Sequence, residues 1–323
     1  MNTSILDSHC YIPAKEVAND FFETRFNLDH DWIERRTGIK LRHKASPDEA
    51  TSDLAVKAVR PILERNNLHI DFLLCATSTP DSLLPATANK ICNKLNLNDN
   101  LFCFDVMAAC SGFLHLLATG NALIRSGLYK NGIIVGVEKM SAIINDDDPQ
   151  TSPLFGDGAG AFLVGENFQE QKGIIASVLG SDSSGIDKLY IKAGGSEIPL
   201  TQERLMNKEH YVSMLGKDVF INAIKQMNNM IEQVLEKGNL NLGEIDYIIP
   251  HQANQRISDA LYEKLGSPKH IKMCNTIAEY GNIGNASVPV AYHSFKDEIG
   301  TDKHIILVSF GAGFNYSAHL IKT

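Results

Sequence analysis

The sequence predicts an α/β protein built from two similar halves. Helical and strand patterns alternate along its 323 residues, as expected where helices join the strands of a sheet. The strand patterns are short apolar runs, as at 72–76 (FLLCA), 132–137 (GIIVGV) and 304–309 (HIILVS), which suits sheets covered on both faces. A repeated pair of motifs is the third observation. Ile70-Asp71-Phe72-Leu73-Leu74 is echoed by Ile245-Asp246-Tyr247-Ile248-Ile249, and Phe155-Gly156-Asp157-Gly158 by Phe310-Gly311-Ala312-Gly313, in the same order. Two echoes in one order point to a repeated unit, with halves 1–170 and 171–323.

The elements follow in turn. Residues 52–66 have apolar positions at helical spacing, with Ser52 as a cap and Pro61 as an interruption. A buried strand at 72–76 is followed by a helix at 86–96, a strand at 101–106 and a helix at 111–126 rich in small residues. Residues 132–137 and 160–164 are further buried strands. Gly156–Gly160 resembles a phosphate loop but lacks the following Lys-Ser/Thr and leads into a strand, so it is read as a tight connecting turn. The second half offers a long helix at 213–237, a strand at 246–249, helices at 254–265 and from Val288, and a strand at 304–309. Segment 181–210, polar and Gly-rich, is an excursion of the length that borders functional sites.

Composition narrows the class. With 44% hydrophobic and 21% charged residues the chain is globular rather than disordered. No apolar run approaches the roughly 18 residues of a membrane helix. The start, MNTSILDSHCYIP, has no secretory pattern. A net charge of −8 without a long basic block disfavours nucleic acid. None of the six cysteines lies in a CxxC pair, which disfavours a zinc site, and a disulfide framework is not expected in such a chain. A cytoplasmic protein with reduced, mostly buried thiols is expected.

Three residues stand at places suited to chemistry. Cys110 follows a strand and two alanines and opens a helix at Ser111-Gly112. A helix N-terminus favours thiolate over thiol, although a buried, inert cysteine fits the same position. His251 follows Pro250 at the end of a strand, where α/β sheets bind ligands; a structural histidine is the plainer reading. Asn282 lies in a turn-prone loop, Tyr280 to Ser287, before a helix. It can cap that helix or donate to an oxyanion. The basic stretch Arg35 to Lys44 is a solvated face, or, beside Trp32, a seat for an anionic ligand with an adenine.

Taken together these segments resemble the β-ketoacyl-acyl carrier protein synthase III family, condensing enzymes of the thiolase superfamily. The resemblance runs along nearly the whole chain. It includes Trp32-Ile33 with Arg36-Thr37-Gly38-Ile39, Asp105 to Phe113 around Cys110, Leu154 to Ala161, Pro250-His251-Gln252-Ala253-Asn254-Gln255-Arg256-Ile257, Gly281-Asn282 and Phe310 to Phe314. It implies a five-layered α-β-α-β-α thiolase-like fold from two halves. It implies a homodimer with no metal or resident cofactor, using coenzyme A (CoA) thioesters and acyl carrier protein (ACP). It implies a Cys110–His251–Asn282 site in which an acyl-Cys110 thioester undergoes decarboxylative Claisen condensation with malonyl-ACP. The backbone N–H groups of Cys110 and Ala312 would hold the oxyanion. Trp32, Arg36, Phe155, Asn254 and Leu84 would contact substrate, Leu84 across the dimer, and Arg256 would dock the carrier protein.

Ser309 stands where degradative thiolases carry a second cysteine, so a decarboxylative reaction is expected rather than abstraction from an unactivated acetyl group. Departures from the family pattern fall in the loop Ile283-Gly284-Asn285, and at Pro149-Gln150, where better-known members place an arginine that pairs with the adenine-stacking tryptophan. Asp146-Asp147-Asp148 just upstream would repel CoA phosphates. A specialised-metabolism synthase joining acyl and 3-oxoacyl thioesters is the alternative enzyme. A silent partner subunit is the non-enzyme alternative, disfavoured by the intact Cys110, His251 and Asn282.

Overall fold

A computed structural model describes residues 2–97, 100–167 and 172–323. The first half runs β1 (Asn2–Tyr11), α1 (Thr51–Arg65), β2 (Phe72–Ala76), α2 (Thr87–Leu95), β3 (Phe102–Val106), α3 (Gly112–Arg125), β4 (Asn131–Lys139) and β5 (Asp157–Asn167). The second runs β6 (Gly173–Ser181), α4 (Gly216–Gly238), β7 (Tyr247–Pro250), α5 (Gln255–Lys264), β8 (Lys272–Met273), α6 (Ser287–Ile299), β9 (His304–Gly311) and β10 (Asn315–Lys322). Each half forms a five-stranded sheet, ordered β1-β5-β4-β2-β3 and β6-β10-β9-β7-β8. The two orders correspond strand for strand, and in each the first two pairings are antiparallel and the last two parallel. The sequence echoes occupy equivalent places, running into β2 and β7 and leading to β5 and β10. The expected boundary between residues 170 and 171 lies outside the described residues.

Apolar residues alternate across the strands and define the layers. Along β9, Ile305 and Leu307 face inward to a core with Phe72, Leu74, Phe113, Leu117, Phe162, Val288 and Ile321. Ile306 and Val308 face outward onto Met227, Ile231 and Val234 of α4 and Leu261 of α5. In the first half, Leu73, Cys75, Ile133 and Val135 face outward onto Leu54, Val59 and Ile62 of α1 and Ile91 of α2. Helices α3 and α6 lie between the sheets, which completes the expected α-β-α-β-α stack.

Several local expectations are corrected. Ser52 is not the cap of α1. That place belongs to Ala50, whose N–H is taken by Asp53, while the Ser52 hydroxyl donates to Asp81 at 2.6 Å. Helix α1 runs through Pro61, and the carbonyl that loses its ladder donor there belongs to exposed Lys57, within reach of water. Residues 157–160 are not a turn but the start of β5, where glycine makes room for α6: a methyl on Gly160 would lie 2.9 Å from Pro289 Cβ. Only Cys75 and Cys274 of the free cysteines are fully buried; the other four are partly exposed. Among the described residues no helix is long and apolar enough to cross a membrane.

Candidate active site

Cys110 sits where β3 hands over to α3. Residues Ala109–Ser111 form one 3₁₀ turn before α3 begins at Gly112. Ala109 is held at φ +44°, a left-handed conformation that costs an alanine on the order of 1 kcal/mol. Gly311, at the end of β9, presses on this turn, so that a methyl there would lie 2.7 Å from the Cys110 amide nitrogen. The turn containing Ala312 is thereby brought alongside the Cys110 N–H.

His251 follows β7 and is 5% exposed. Its Nδ1 lies 2.6 Å from the hydroxyl of Ser287, the first residue of α6. That hydroxyl also accepts the Gln252 N–H at 3.4 Å. Gln252 is in turn fixed by donation to the Pro250 carbonyl and by acceptance from the Thr276 N–H. With Nδ1 engaged, Nε2 is the ring nitrogen free to act. Burial lowers the His251 pKa to about 4, so the ring is neutral at pH 7.

Asn282 is clamped through its backbone. Its N–H donates to the Leu154 carbonyl at 2.8 Å, and its carbonyl accepts the Gly156 N–H at 3.0 Å, in a bridge beside Phe155. Its Oδ1 accepts the Gly284 N–H at 2.9 Å. The acceptor end of the carboxamide is therefore occupied, and the donor end remains.

All three side chains line one cavity, walled by Leu154, Phe155, Leu189, Met214, Val219, Phe220, Ala223 and Ile257. Leu189 comes from the 181–210 excursion, which does border the site as expected, and Met214 from the short strand just beyond it. Burial pushes the Cys110 thiol up to about 12, and the Glu138 carboxylate adds to the effect. The expectation of a preformed thiolate is thus overturned: α3 starts two residues beyond the sulfur, and loss of water outweighs its dipole.

Models of 3-oxoacyl-(acyl-carrier-protein) synthase III match residues 104–183, and models of its C-terminal part match residues 235–323. The β-ketoacyl-(acyl-carrier-protein) synthase III 1 of Bacteroides thetaiotaomicron is 39% identical over 316 residues, 97% of this chain and 93% of that protein. The chain belongs to the synthase III family. The synthase III of Clostridioides difficile is also 39% identical, over 100% of this chain and 99% of its own. The crystal structure of the Thermus thermophilus synthase III superposes with a TM-score of 0.90 at 36% identity over 99% of each chain. Like its family, the chain is a condensing acyltransferase on the thiolase-like fold.

Other candidate residues are distributed around the cavity. Phe155 and Asn254 line it. Asn254 caps α5 by accepting the Arg256 N–H at 2.9 Å, and its Nδ2 reaches the Arg36 carbonyl at 3.4 Å. The short helix Trp32–Thr37 thus stands beside Asn254, with the Arg36 guanidinium 4.7 Å from the Trp32 ring centre. Arg256 is exposed, 5.6 Å from the Phe220 ring, and Ile221, which follows Phe220 in the chain, is half-exposed. Leu84 is 87% exposed and does not line the cavity of its own chain.

Two electrostatic expectations change. The acidic run is partly neutralised: Asp146 pairs with Lys44, and Asp147 with both Arg25 and Lys208, while Asp148 accepts from the Gln150 N–H and the Thr151 hydroxyl. Repulsion of phosphates by that run is correspondingly weak. Within the basic stretch, Arg42 is completely buried and donates to the carbonyls of Pro153 and Val17 and to Asn19, so it holds loops together. Lys40 pairs with Glu34, leaving Arg35 and Arg36 exposed. Ser287 and Glu138 were not singled out in the sequence. Ser287 carries a weak signal, a hydroxyl five residues after Asn282.

Proposed function

We propose that this chain condenses an acyl thioester with malonyl-ACP, using Cys110 from half 1–170 and His251 and Asn282 from half 171–323. The observation that carries the reading is that the His251 ring and the Asn282 carboxamide, on the same cavity as Cys110, each have their other end tied down. In the first step the Cys110 sulfur attacks the acyl carbonyl. His251 Nε2 takes the thiol proton and returns it to the departing thiolate, so the ring ends neutral. The N–H groups of Cys110 and Ala312 hold the oxyanion. In the second step CO₂ leaves the malonyl thioester. The enolate oxygen accepts hydrogen bonds from His251 Nε2–H and Asn282 Nδ2, and the enolate carbon attacks the acyl group, expelling the Cys110 sulfur as a thiolate that takes one proton from water, the net proton consumed by the decarboxylation. His251 must accept at Nε2 in one step and donate in the other. A hydroxyl both donates and accepts, so Ser287 is a suitable Nδ1 partner for either tautomer.

The donor is an acyl-CoA or an acyl-ACP: Trp32 and Arg36 remain as adenine and phosphate contacts, and Gln150, in place of the arginine that pairs with the tryptophan in better-known members, makes the hold on CoA weaker. Exposed Arg256 serves carrier docking. The homodimer is supported by the open edge of β3 and by the highly exposed Leu83, Leu84 and Met107, an apolar set that a second copy would cover. In that dimer Leu84 would reach the partner's acyl pocket.

The test is intact mass after incubation with a panel of acyl-CoA and acyl-ACP donors, with Cys110→Ala as control. Acylation that survives in the control removes Cys110 from the mechanism. Product analysis with malonyl-ACP as sole extender separates a 3-oxoacyl product from the ketone or ester of a specialised synthase. Sedimentation at micromolar concentration tests the dimer.

A further inference from the structure

Glu138 and Asn285 form a buried link that the steps above leave unused. Glu138, in β4, is 1% exposed. Its carboxylate accepts the Ser78 N–H at 3.0 Å, the Thr79 hydroxyl at 2.9 Å and Asn285 Nδ2 at 2.7 Å. The other end of that carboxamide, Oδ1, accepts the Phe113 N–H at 3.0 Å. This N–H is one of the first-turn donors of α3 that the helix itself cannot satisfy. The link therefore runs from the first sheet, through the loop carrying Asn282, to the helix that follows Cys110. Its fit is tight. A methyl on Gly284, at φ +52°, would lie 2.7 Å from Glu138 Cγ, and one on Gly112 would lie 2.9 Å from Asn285 Oδ1. Gly284 and Asn285 are positions where this loop departs from the family pattern, and here they are matched to Glu138: one makes room for the carboxylate and the other pairs with it.

A buried carboxylate without a cation is a poor source of stability. Its directional use is plainer: a carboxylate can only accept, so it fixes which end of the Asn285 carboxamide faces Phe113. We propose that Asn285 and Glu138 are positioning residues: Asn285 caps α3 from the opposite half, Glu138 in the first sheet fixes the Asn285 carboxamide, and together they set the separation between Cys110 and Asn282 required for carbon–carbon bond formation. The proposal rests on the condensing reading given above and adds the device that holds its two halves in register.

A hydrogen-bond swap tests it in the full-length protein. In Glu138→Gln, one carboxylate oxygen becomes an NH₂ group. That group must face either Asn285 Nδ2 or the donors at Ser78 and Thr79, and a bond is lost. Turning Asn285 over to meet it would instead leave the Phe113 N–H without an acceptor. In Asn285→Asp, two carboxylates meet in a buried place. In the double variant, the introduced carboxylate accepts from both the introduced amide and the Phe113 N–H, while the remaining amide oxygen serves Ser78 and Thr79. Condensation with malonyl-ACP is measured at a temperature where all variants are folded by circular dichroism. The expected result is a kcat about 100-fold lower in Glu138→Gln, little change in KM, and recovery of at least about 10-fold in the double variant. Should Asn285→Asp fail to fold, Glu138→Gln against the double variant still decides. Wild-type kcat in Glu138→Gln, or a double variant no faster than Glu138→Gln, overturns the proposal. Either outcome is distinct from failure of the condensing reading, which would show as wild-type protein that neither acylates Cys110 nor forms product.

Discussion

The protonated resting state of Cys110 is open to a direct kinetic test. Burial and Glu138 raise the thiol from its usual 9.0 to about 12. That rise corresponds to about 4 kcal/mol against the thiolate. At pH 7.5 the ionised fraction is about one in 30,000, against about one in 30 for an unperturbed thiol. Iodoacetamide, which brings no base of its own, should therefore alkylate Cys110 about 1,000-fold more slowly than a free cysteine, as followed by peptide mass mapping. The rate should rise about tenfold per pH unit between about pH 6.5 and 9.5. Acylation by a thioester should behave differently. With His251 as acceptor and its pKa lowered to about 4, the acylation rate should be flat from about pH 5.5 to 8.5. His251→Ala should convert that flat profile into the sloped one. An alkylation plateau near pH 7 would mean that the thiolate is preformed, and would refute the reasoning. A sloped wild-type acylation profile would remove His251 as the acceptor.

Further outcomes follow from other contacts. Ser287→Ala leaves buried Nδ1 of His251 without its 2.6 Å partner; it should cost about 1–3 kcal/mol in urea unfolding and slow condensation about 10- to 100-fold. Gly311→Ala places a methyl 2.7 Å from the Cys110 amide nitrogen; acylation should fall about 100-fold or more while the folded circular dichroism spectrum persists, and full acylation would contradict the close approach. Stability should also decline in acid. His251 and His319 are both lowered to about 4 from 6.5 by burial, so the folded state binds their protons more weakly than the unfolded chain. Their contribution is complete above pH 6.5 and is lost as pH falls through 4, about 3 kcal/mol for each. Glu138, raised from 4.5 to about 6, acts in the opposite sense and regains about 2 kcal/mol over the interval from 6 down to 4.5. Urea midpoints that stay constant from pH 7 to 4.5 would contradict this balance.

Much of the architecture was legible because the central strands are apolar on both faces and the Phe-Gly turns recur. Among the strands that escaped notice, β8 has only two residues, and β1, β6 and β10 interrupt their apolar pattern with polar residues. In β1 Thr3 and Ser8 are buried, and in β10 Ser317 and His319 are completely buried. His319 is satisfied only across the fold, by Ser177 at 2.8 Å and the Leu114 carbonyl at 2.8 Å, which no local pattern reveals. Cys110, His251 and Asn282 were legible because each stands at a junction between elements, within a distinctive motif, and they do meet on one cavity. The ionisation of Cys110 was not legible, since the local helix end argues one way and burial by the other half argues the other. Glu138 was hidden for a similar reason: its partner Asn285 lies 147 residues away in the chain.

The central layer has a mechanical corollary. Helices α3 and α6 belong to different repeats, yet they sit in a single apolar interior, with Phe113 and Leu117 from one and Val288 and Ala291 from the other. Separating the repeats would wet the inner faces of both sheets at once. Neither could persist as a smaller folded body, and melting should be one concerted event. Damage far from the thiol, even on the side of the molecule that lacks it, would then silence the enzyme by the same route.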